Sequence, residues 1–174
     1  MARQELGECV KRSKPIGLAL ALVVFLTLLI ASLAGIVFDS MYNSRMAKLD
    51  RAAQPADGAH GVVVYLEEED FYTDQYVPKD LRAGDVDEVA AVILCTEGSY
   101  MDGIYENGVR GFVRTRTLSW FDLATQQVLA QETFEGGPSP QSIDADVKKD
   151  QYGSEPQDSE MTAWIRQIAE RCLP

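Results

Sequence analysis

An uninterrupted apolar run near the N-terminus is the feature that most limits how this chain can fold. Residues Ile16–Phe38 are 23 consecutive uncharged positions, mostly Leu, Ile, Val, Phe and Ala. As an α-helix the run would be about 35 Å long, enough to cross a bilayer core of about 30 Å. A helix satisfies its own backbone hydrogen bonds, which lipid cannot do. The run therefore predicts a single transmembrane helix over 16–38.

A cleaved signal peptide is the alternative interpretation of this run. The apolar region of a signal peptide is normally about 7–15 residues long, which is shorter than the run here. Ser32-Leu33-Ala34 nevertheless forms a small-x-small cleavage pattern. We expect a retained signal-anchor, and secretion of the domain after cleavage near Ala34 is the alternative.

Charge on the two sides of the run predicts its orientation. Residues 1–15 hold four Lys+Arg and two Asp+Glu, a net charge of +2. An excess of Lys and Arg normally stays in the cytoplasm. We therefore expect 1–15 to be a cytoplasmic tail at the cell membrane and the C-terminal region to be extracytoplasmic.

The remaining chain is strongly acidic, with 12 Lys+Arg and 25 Asp+Glu in residues 39–174, a net charge of −13. This acidity argues against nucleic acid as a partner, because phosphate contacts need clustered cations. The expected partners are the lipid bilayer and another membrane or envelope protein. The oligomeric state stays open.

A folded domain is predicted over 61–174, after a stalk over 39–60. Apolar and β-branched runs bounded by turn residues predict its strands. Asp122 is expected to start a turn between the last two strands, because its carboxylate can bond backbone amides ahead of it. The predicted strands are Gly61–Leu66, Val89–Thr96, Val109–Phe121 and Val128–Phe134.

The chain ends in a clear helical pattern. Met161, Trp164, Ile165, Ile168 and Cys172 fall on one stripe of a helix. Asp158 or Ser159 is expected to cap its start. The fold class is therefore α+β: a single transmembrane helix, then a small, mostly antiparallel β-sheet domain with a C-terminal packing helix.

One stretch resembles a pattern in uncharacterised bacterial single-pass envelope proteins. It consists of Leu118–Thr125, Val128–Ala130 and Thr133–Pro138, about 20 residues. The resemblance implies a strand, an Asp-containing hairpin, a second strand and a Gly/Pro loop behind one anchor. Gln126 stands where such hairpins usually have Gly. The resemblance implies no activity.

No catalytic, metal or cofactor motif is present in the sequence, so no cofactor is expected. The single histidine, His60, lies in the predicted stalk, and a nucleophile needs its base held within hydrogen-bond reach. A zinc site needs three or four nitrogen or sulfur ligands. The acidic run Glu67–Asp70 has no EF-hand spacing, and a solvated loop is the favoured interpretation over a Ca²⁺ site.

Two cysteines in the predicted outer domain, Cys95 and Cys172, form a candidate disulfide. In an oxidising compartment the bond would tie the terminal helix to a central strand. Two small buried apolar side chains are the alternative.

Three arginines and two tyrosines form the candidate partner or anion patch. Arg114 and Arg116 are expected on one strand face beside Phe112 and Trp120, with Arg110 nearby. Cross-strand pairing with acids such as Glu132 is the alternative. Tyr72 and Tyr76 are predicted either to form an exposed contact loop or to pack beneath it.

These observations predict a single-pass membrane protein that displays an acidic extracytoplasmic binding or assembly domain. No catalytic role is identified. A membrane-tethered hydrolase that uses carboxylates is the alternative, because such pairs carry no fixed sequence spacing. A deep pocket lined by paired carboxylates would favour the enzyme, and a filled core with a flat surface the binding module.

Overall fold

The computed structural model of the protein describes residues 24–29 and 40–173. The chain divides into two compact units, Met1–Phe38 and Asp39–Pro174. In the first unit, residues 24–29 are helical, and the rest of the predicted span over 16–38 lies outside the described residues. Of the helices in the described ranges, none combines the length and the apolar composition that a membrane crossing requires.

The second unit is built on one mixed sheet of six strands. The strand order is β2-β1-β3-β4-β5, with β6 paired to β4. The strands are β1 (Gly61–Leu66), β2 (Phe71–Thr73), β3 (Val89–Ile104), β4 (Arg110–Asp122), β5 (Gln127–Glu135) and β6 (Gln151–Tyr152), and the C-terminal helix is α1 (Asp158–Cys172).

The α+β class is confirmed for this unit, and the sheet is mixed. Strands β1 and β2, β3 and β4, and β4 and β5 pair antiparallel, whereas β1–β3 and β4–β6 are parallel. The sequence analysis did not predict the two parallel pairs. Two neighbouring parallel strands need a crossover connection. Strand β2 and the segment after it form this connection, so that β3 starts at the same end of the sheet as β1.

One face of the sheet packs against helix α1. Alternate residues of a strand point to opposite faces, so Ile93 and Trp120 share this face with Val62. From the helix, Met161, Ile165, Ile168 and Ala169 are buried. The predicted stripe is thus confirmed, with Ala169 added to it. The helix N-cap is Gln157, whose side chain makes no capping hydrogen bond. The prediction that Asp158 or Ser159 caps the helix is therefore wrong.

The opposite face packs against the segment that follows the predicted span. Residues 40–46 are helical, and the Met46 side chain is fully buried in a second cluster with Val63, Val92 and Leu123. Asn43 Oδ1 accepts a hydrogen bond from the backbone N–H of Tyr72 at 2.8 Å. The folded unit therefore includes this part of the expected stalk, and it begins near residue 40 rather than at Gly61.

The two ends of the sheet differ in how they are covered. At the covered end, β1, the first part of β3 (89–95) and the last part of β4 (117–122) carry both apolar clusters. At the far end, the rest of β3 (96–104) is exposed and pairs with the first part of β4 (110–116). Strand β3 is twice as long as expected, because residues 97–104 extend the hairpin although their exposed apolar side chains, among them Met101 and Ile104, do not form a regular apolar pattern.

The hairpin between β4 and β5 is formed by the expected turn. Asp122 Oδ2 accepts hydrogen bonds from the N–H and the hydroxyl of Thr125, at 2.8 and 2.6 Å. Gln126 has φ +57°, a left-handed conformation in which glycine has no Cβ penalty. Its amide donates to Leu123 O at 2.8 Å, a local bond that glycine would lack.

Candidate functional site

The three arginines of the predicted patch lie on one face of β4, at the far end of the sheet. Arg110 lies over the Phe112 ring at 5.5 Å, and Arg114 lies over the Tyr152 ring at 5.2 Å. The Phe112 and Tyr152 rings stack on each other with centroids 5.2 Å apart. We call this row, together with Arg116, the arginine ladder. The predicted placement of the arginines on one face is confirmed.

Acidic side chains pair with every arginine of the ladder. Arg110 pairs with Asp150 at 2.6 Å, Arg114 with Glu155, and Arg116 with Glu97 at 2.8 Å. Glu155 also lies 3.6 Å from Arg116, so one carboxylate bridges two guanidinium groups. Three cations thus meet three anions, and the ladder has no excess positive charge to attract an anion.

Two of the three acidic partners come from a segment that sequence analysis treated as a loop, whereas Glu97 lies on β3. Asp150, Tyr152 and Glu155 all lie between β5 and α1, where β6 pairs with β4. The arginines pair with acids, as the cross-strand alternative predicted. Glu132 is not one of those acids, because in the described part of the chain it enters no ion pair. Tyr152 is the only aromatic residue of 136–157. This isolated aromatic residue is the sequence signal that could have indicated a contact between the segment and the sheet.

Arg116 is the most enclosed member of the ladder. Its side chain is 15% exposed, and it donates a hydrogen bond to the Tyr76 hydroxyl while lying 5.6 Å from that ring. Burial lowers the pKa of Arg116, but Tyr76, Glu97 and Glu155 more than offset this, and the net pKa is raised. Burial also raises the pKa of Tyr76 to about 12, against a smaller lowering by Arg116. Arg116 therefore remains charged and fixed.

The two tyrosines of the patch are both buried. Tyr76 joins the cluster beneath helix α1, and Tyr72 joins the cluster beneath residues 40–46. The expected exposed contact loop is therefore wrong and the packed alternative is correct. The Tyr76 ring packs on one side of the sheet and the Tyr72 ring packs on the other. Tyr76 also has φ +66°, a backbone conformation that costs a non-glycine residue energy and needs surrounding structure to hold it.

The two candidate disulfide cysteines belong to the same core cluster. Cys95 is fully buried and Cys172 is partly buried, and both are free thiols. Burial raises the pKa of the Cys95 thiol to about 11, and the neighbouring Arg116 opposes that rise. Their pairing stays a prediction.

Three cavities in the described residues differ in the carboxylates that line them. One, about 660 Å³, lies between the β3–β4 turn and residues 141–145, and Glu106 is the only carboxylate that lines it. A second, about 280 Å³, is lined by Glu97 and Glu155, both ion-paired with the ladder. A third, about 250 Å³, is lined by Asp50 and Asp87, and within the described residues neither of them enters an ion pair. General acid–base catalysis by two carboxylates needs one of them free to hold a proton, and the first two cavities do not offer that arrangement.

The acidic run after β1 is a turn that bonds its own sheet. Glu67 accepts from the Thr96 hydroxyl, and Glu68 accepts from the backbone N–H of Glu97 at 2.8 Å. Asp70 accepts from the Tyr65 hydroxyl. Within the described ranges, no group of three or more His, Cys, Asp or Glu side chains is arranged to hold a metal ion.

Buried polar atoms without a hydrogen-bond partner occur at four places in the described residues. They are Tyr42 Oη, Arg114 Nε, Arg116 Nε and Trp120 Nε1. Burial, followed by the charge of Asp74, raises the pKa of Tyr42. No family model, no curated protein and no solved structure matches this chain.

Proposed function

We propose that the chain is a single-pass membrane-anchored protein whose acidic domain, residues 39–174, binds or assembles with partners on the extracytoplasmic side. The apolar run over 16–38 and the change from +2 to −13 in net charge across it support this proposal. The lipid bilayer is its first partner, and another membrane or envelope protein is the second.

The packing of residues 40–46 is the observation that carries the proposal. Met46 is fully buried and Asn43 bonds Tyr72, so the domain begins almost where the apolar run ends. Only three residues separate Phe38 from Tyr42, a reach of roughly 14 Å even when extended. A domain on so short a connection meets partners at the membrane surface rather than at a distance.

Binding is favoured over hydrolysis by the state of the carboxylates. Glu97 and Glu155, which line the cavity beside the arginine ladder, are held by arginines, whereas Asp50 and Asp87 line another cavity that has no arginine in its lining. The covered end of the sheet is filled on both faces, which leaves open strands and flat surface for contact. These features are typical of a module that acts through its surface.

Labelling with a membrane-impermeant maleimide tests the anchor and its orientation in sealed cells. One variant keeps Cys9 and carries Cys95→Ser and Cys172→Ser. The other carries Cys9→Ser as well and adds Glu106→Cys at the exposed β3–β4 turn. We expect labelling of the second variant and none of the first until the membrane is opened, with both proteins resistant to carbonate extraction.

The opposite labelling pattern would place the domain in the cytoplasm and overturn the proposed orientation. Release by carbonate, or a mature mass that begins near Gly35, would replace the anchor with a cleaved signal peptide.

A further inference from the structure

The two edges of the sheet are protected to different degrees. Strand β2 forms one edge and is only three residues long. The N–H of Tyr72 at that edge already donates to Asn43 Oδ1 at 2.8 Å, so residues 40–46 cover it. An added strand would find little free backbone there.

Strand β5 forms the other edge and is open along nine residues, Gln127–Glu135. Gly136 N donates to Arg114 O at 2.8 Å. This bond shows which residues of β5 turn their backbone groups towards β4. Since backbone groups alternate in direction along an antiparallel strand, residues 131, 133 and 135 turn their N–H and C=O groups away from β4. In the described part of the chain, no strand pairs with that side.

The sequence of β5 carries few of the devices that usually block an edge. Natural sheets protect long edges with Lys, Pro, strong bulges or a covering element. Strand β5 reads QVLAQETFE, without Lys or Pro, and most of its side chains are exposed. Its register with β4 shifts once, between the partners of Trp120 and Phe121, so residues 130–135 form its regular part. Val128 and Leu129 are 52% and 44% exposed. This edge is therefore available for pairing with another extended chain.

We propose that the outer edge of β5 binds an extended basic peptide segment as an added strand. Backbone hydrogen bonds at 131, 133 and 135 supply the pairing, and alternate side chains of the peptide supply the selectivity. The regular part of the strand, residues 130–135, offers about 20 Å of pairing length. This inference deepens the proposed function and rests on it only for the location of the partner.

Charge identifies the class of partner. The two charged side chains of β5, Glu132 and Glu135, are both acidic, and residues 39–174 carry a net charge of −13. A strand with Lys or Arg at alternate positions is attracted, whereas an acidic strand is repelled. A second copy of this chain brings the same acidic strand and the same net charge, so it is disfavoured as the occupant.

Hydrogen–deuterium exchange of the full chain in phosphatidylcholine nanodiscs tests the edge. The probe is an eight-residue peptide that alternates lysine and valine, with empty nanodiscs as the lipid control. We expect saturable binding that slows exchange in 127–135 and that is lost when alternate peptide amides are N-methylated. The same peptide with glutamate in place of lysine is expected to bind at least tenfold more weakly.

Matched variants separate charge from backbone pairing. Glu132→Gln is expected to weaken peptide binding roughly two- to fivefold, the size of an exposed ion pair. Glu106→Gln removes one exposed carboxylate at the β3–β4 turn and is expected to leave binding unchanged. Thr133→Pro removes an outward N–H and is expected to abolish binding, with unchanged exchange in helix α1 as proof of folding.

Several outcomes would overturn the inference: absence of binding, exchange protection outside β5, or equal affinity for the N-methylated peptide. Protection of 127–135 that depends on protein density without peptide would assign the edge to a second copy instead. The readout at β5 does not depend on membrane orientation, so failure here leaves the labelling test of the anchor intact.

Discussion

The two ends of the sheet are stabilised in different ways, although β3 and β4 run through both. At the covered end, helix α1 and residues 40–46 bury apolar side chains on both faces. At the far end, ion pairs, stacked rings and cation–π contacts join β4 to residues 150–155. Apolar burial stabilises far more than exposed ion pairs do. The covered end therefore contributes most of the stability of the fold.

The largest expected effect comes from the same substitution at the two ends of β3. Ile93 is fully buried and Ile104 is 65% exposed. We expect Ile93→Ala to lower the free energy of unfolding by about 2–5 kcal/mol and Ile104→Ala to change it by less than about 0.5 kcal/mol. Urea unfolding of the full chain in detergent, followed by tryptophan fluorescence, measures both. Equal losses would contradict the division into two ends.

The segment after the predicted span offers a second matched pair. Met46 is fully buried, whereas Met41 is 57% exposed. We expect Met46→Ala to cost about 2–4 kcal/mol because it opens a cavity beneath the sheet, while Met41→Ala is close to neutral. The same unfolding assay applies. A neutral Met46→Ala would mean that the segment acts as a stalk and that the domain is complete without it.

Alkaline pH should act on the covered end through Cys95. Its folded pKa is raised to about 11 by burial, above the ordinary thiol value near 8.5. The unfolded chain releases this proton first, so the stability present below about pH 9 is lost as pH rises through 11. We expect the fall in unfolding free energy to be shallower in Cys95→Ala. Parallel pH profiles for the two proteins would count against this assignment.

The smallest effect is expected at the arginine ladder. Glu155 bridges Arg114 and Arg116 in a half-exposed position, so Glu155→Gln should cost less than about 1 kcal/mol, and less again at high salt. Faster amide exchange in 151–155 is the more sensitive measurement. Glu132→Gln, at an acid without a described ion pair, is the control. Similar exchange in both variants would show that stacking alone holds this segment.

Local patterns predicted the elements whose apolar residues repeat clearly. Strand β1 has the predicted bounds and helix α1 buries the predicted stripe. The far part of β3 and the two-residue β6 escaped prediction, because their largely exposed residues show no regular apolar period and depend on neighbouring strands for their hydrogen bonds. The arginine patch was found by residue type, but its partners Asp150 and Glu155 are about 40 residues away in sequence. No local signal joins them.

The sequence by itself determined the division of charge around an uncharged run, the α+β class and the positions of the main strands and the last helix. Those properties follow from composition and short-range periodicity, which are local. Only the tertiary structure decided that residues 40–46 belong to the domain, that the three arginines are neutralised and that β5 is left as an open edge. Each of these depends on which distant segments meet, and long-range packing sets that, not the local pattern of residues.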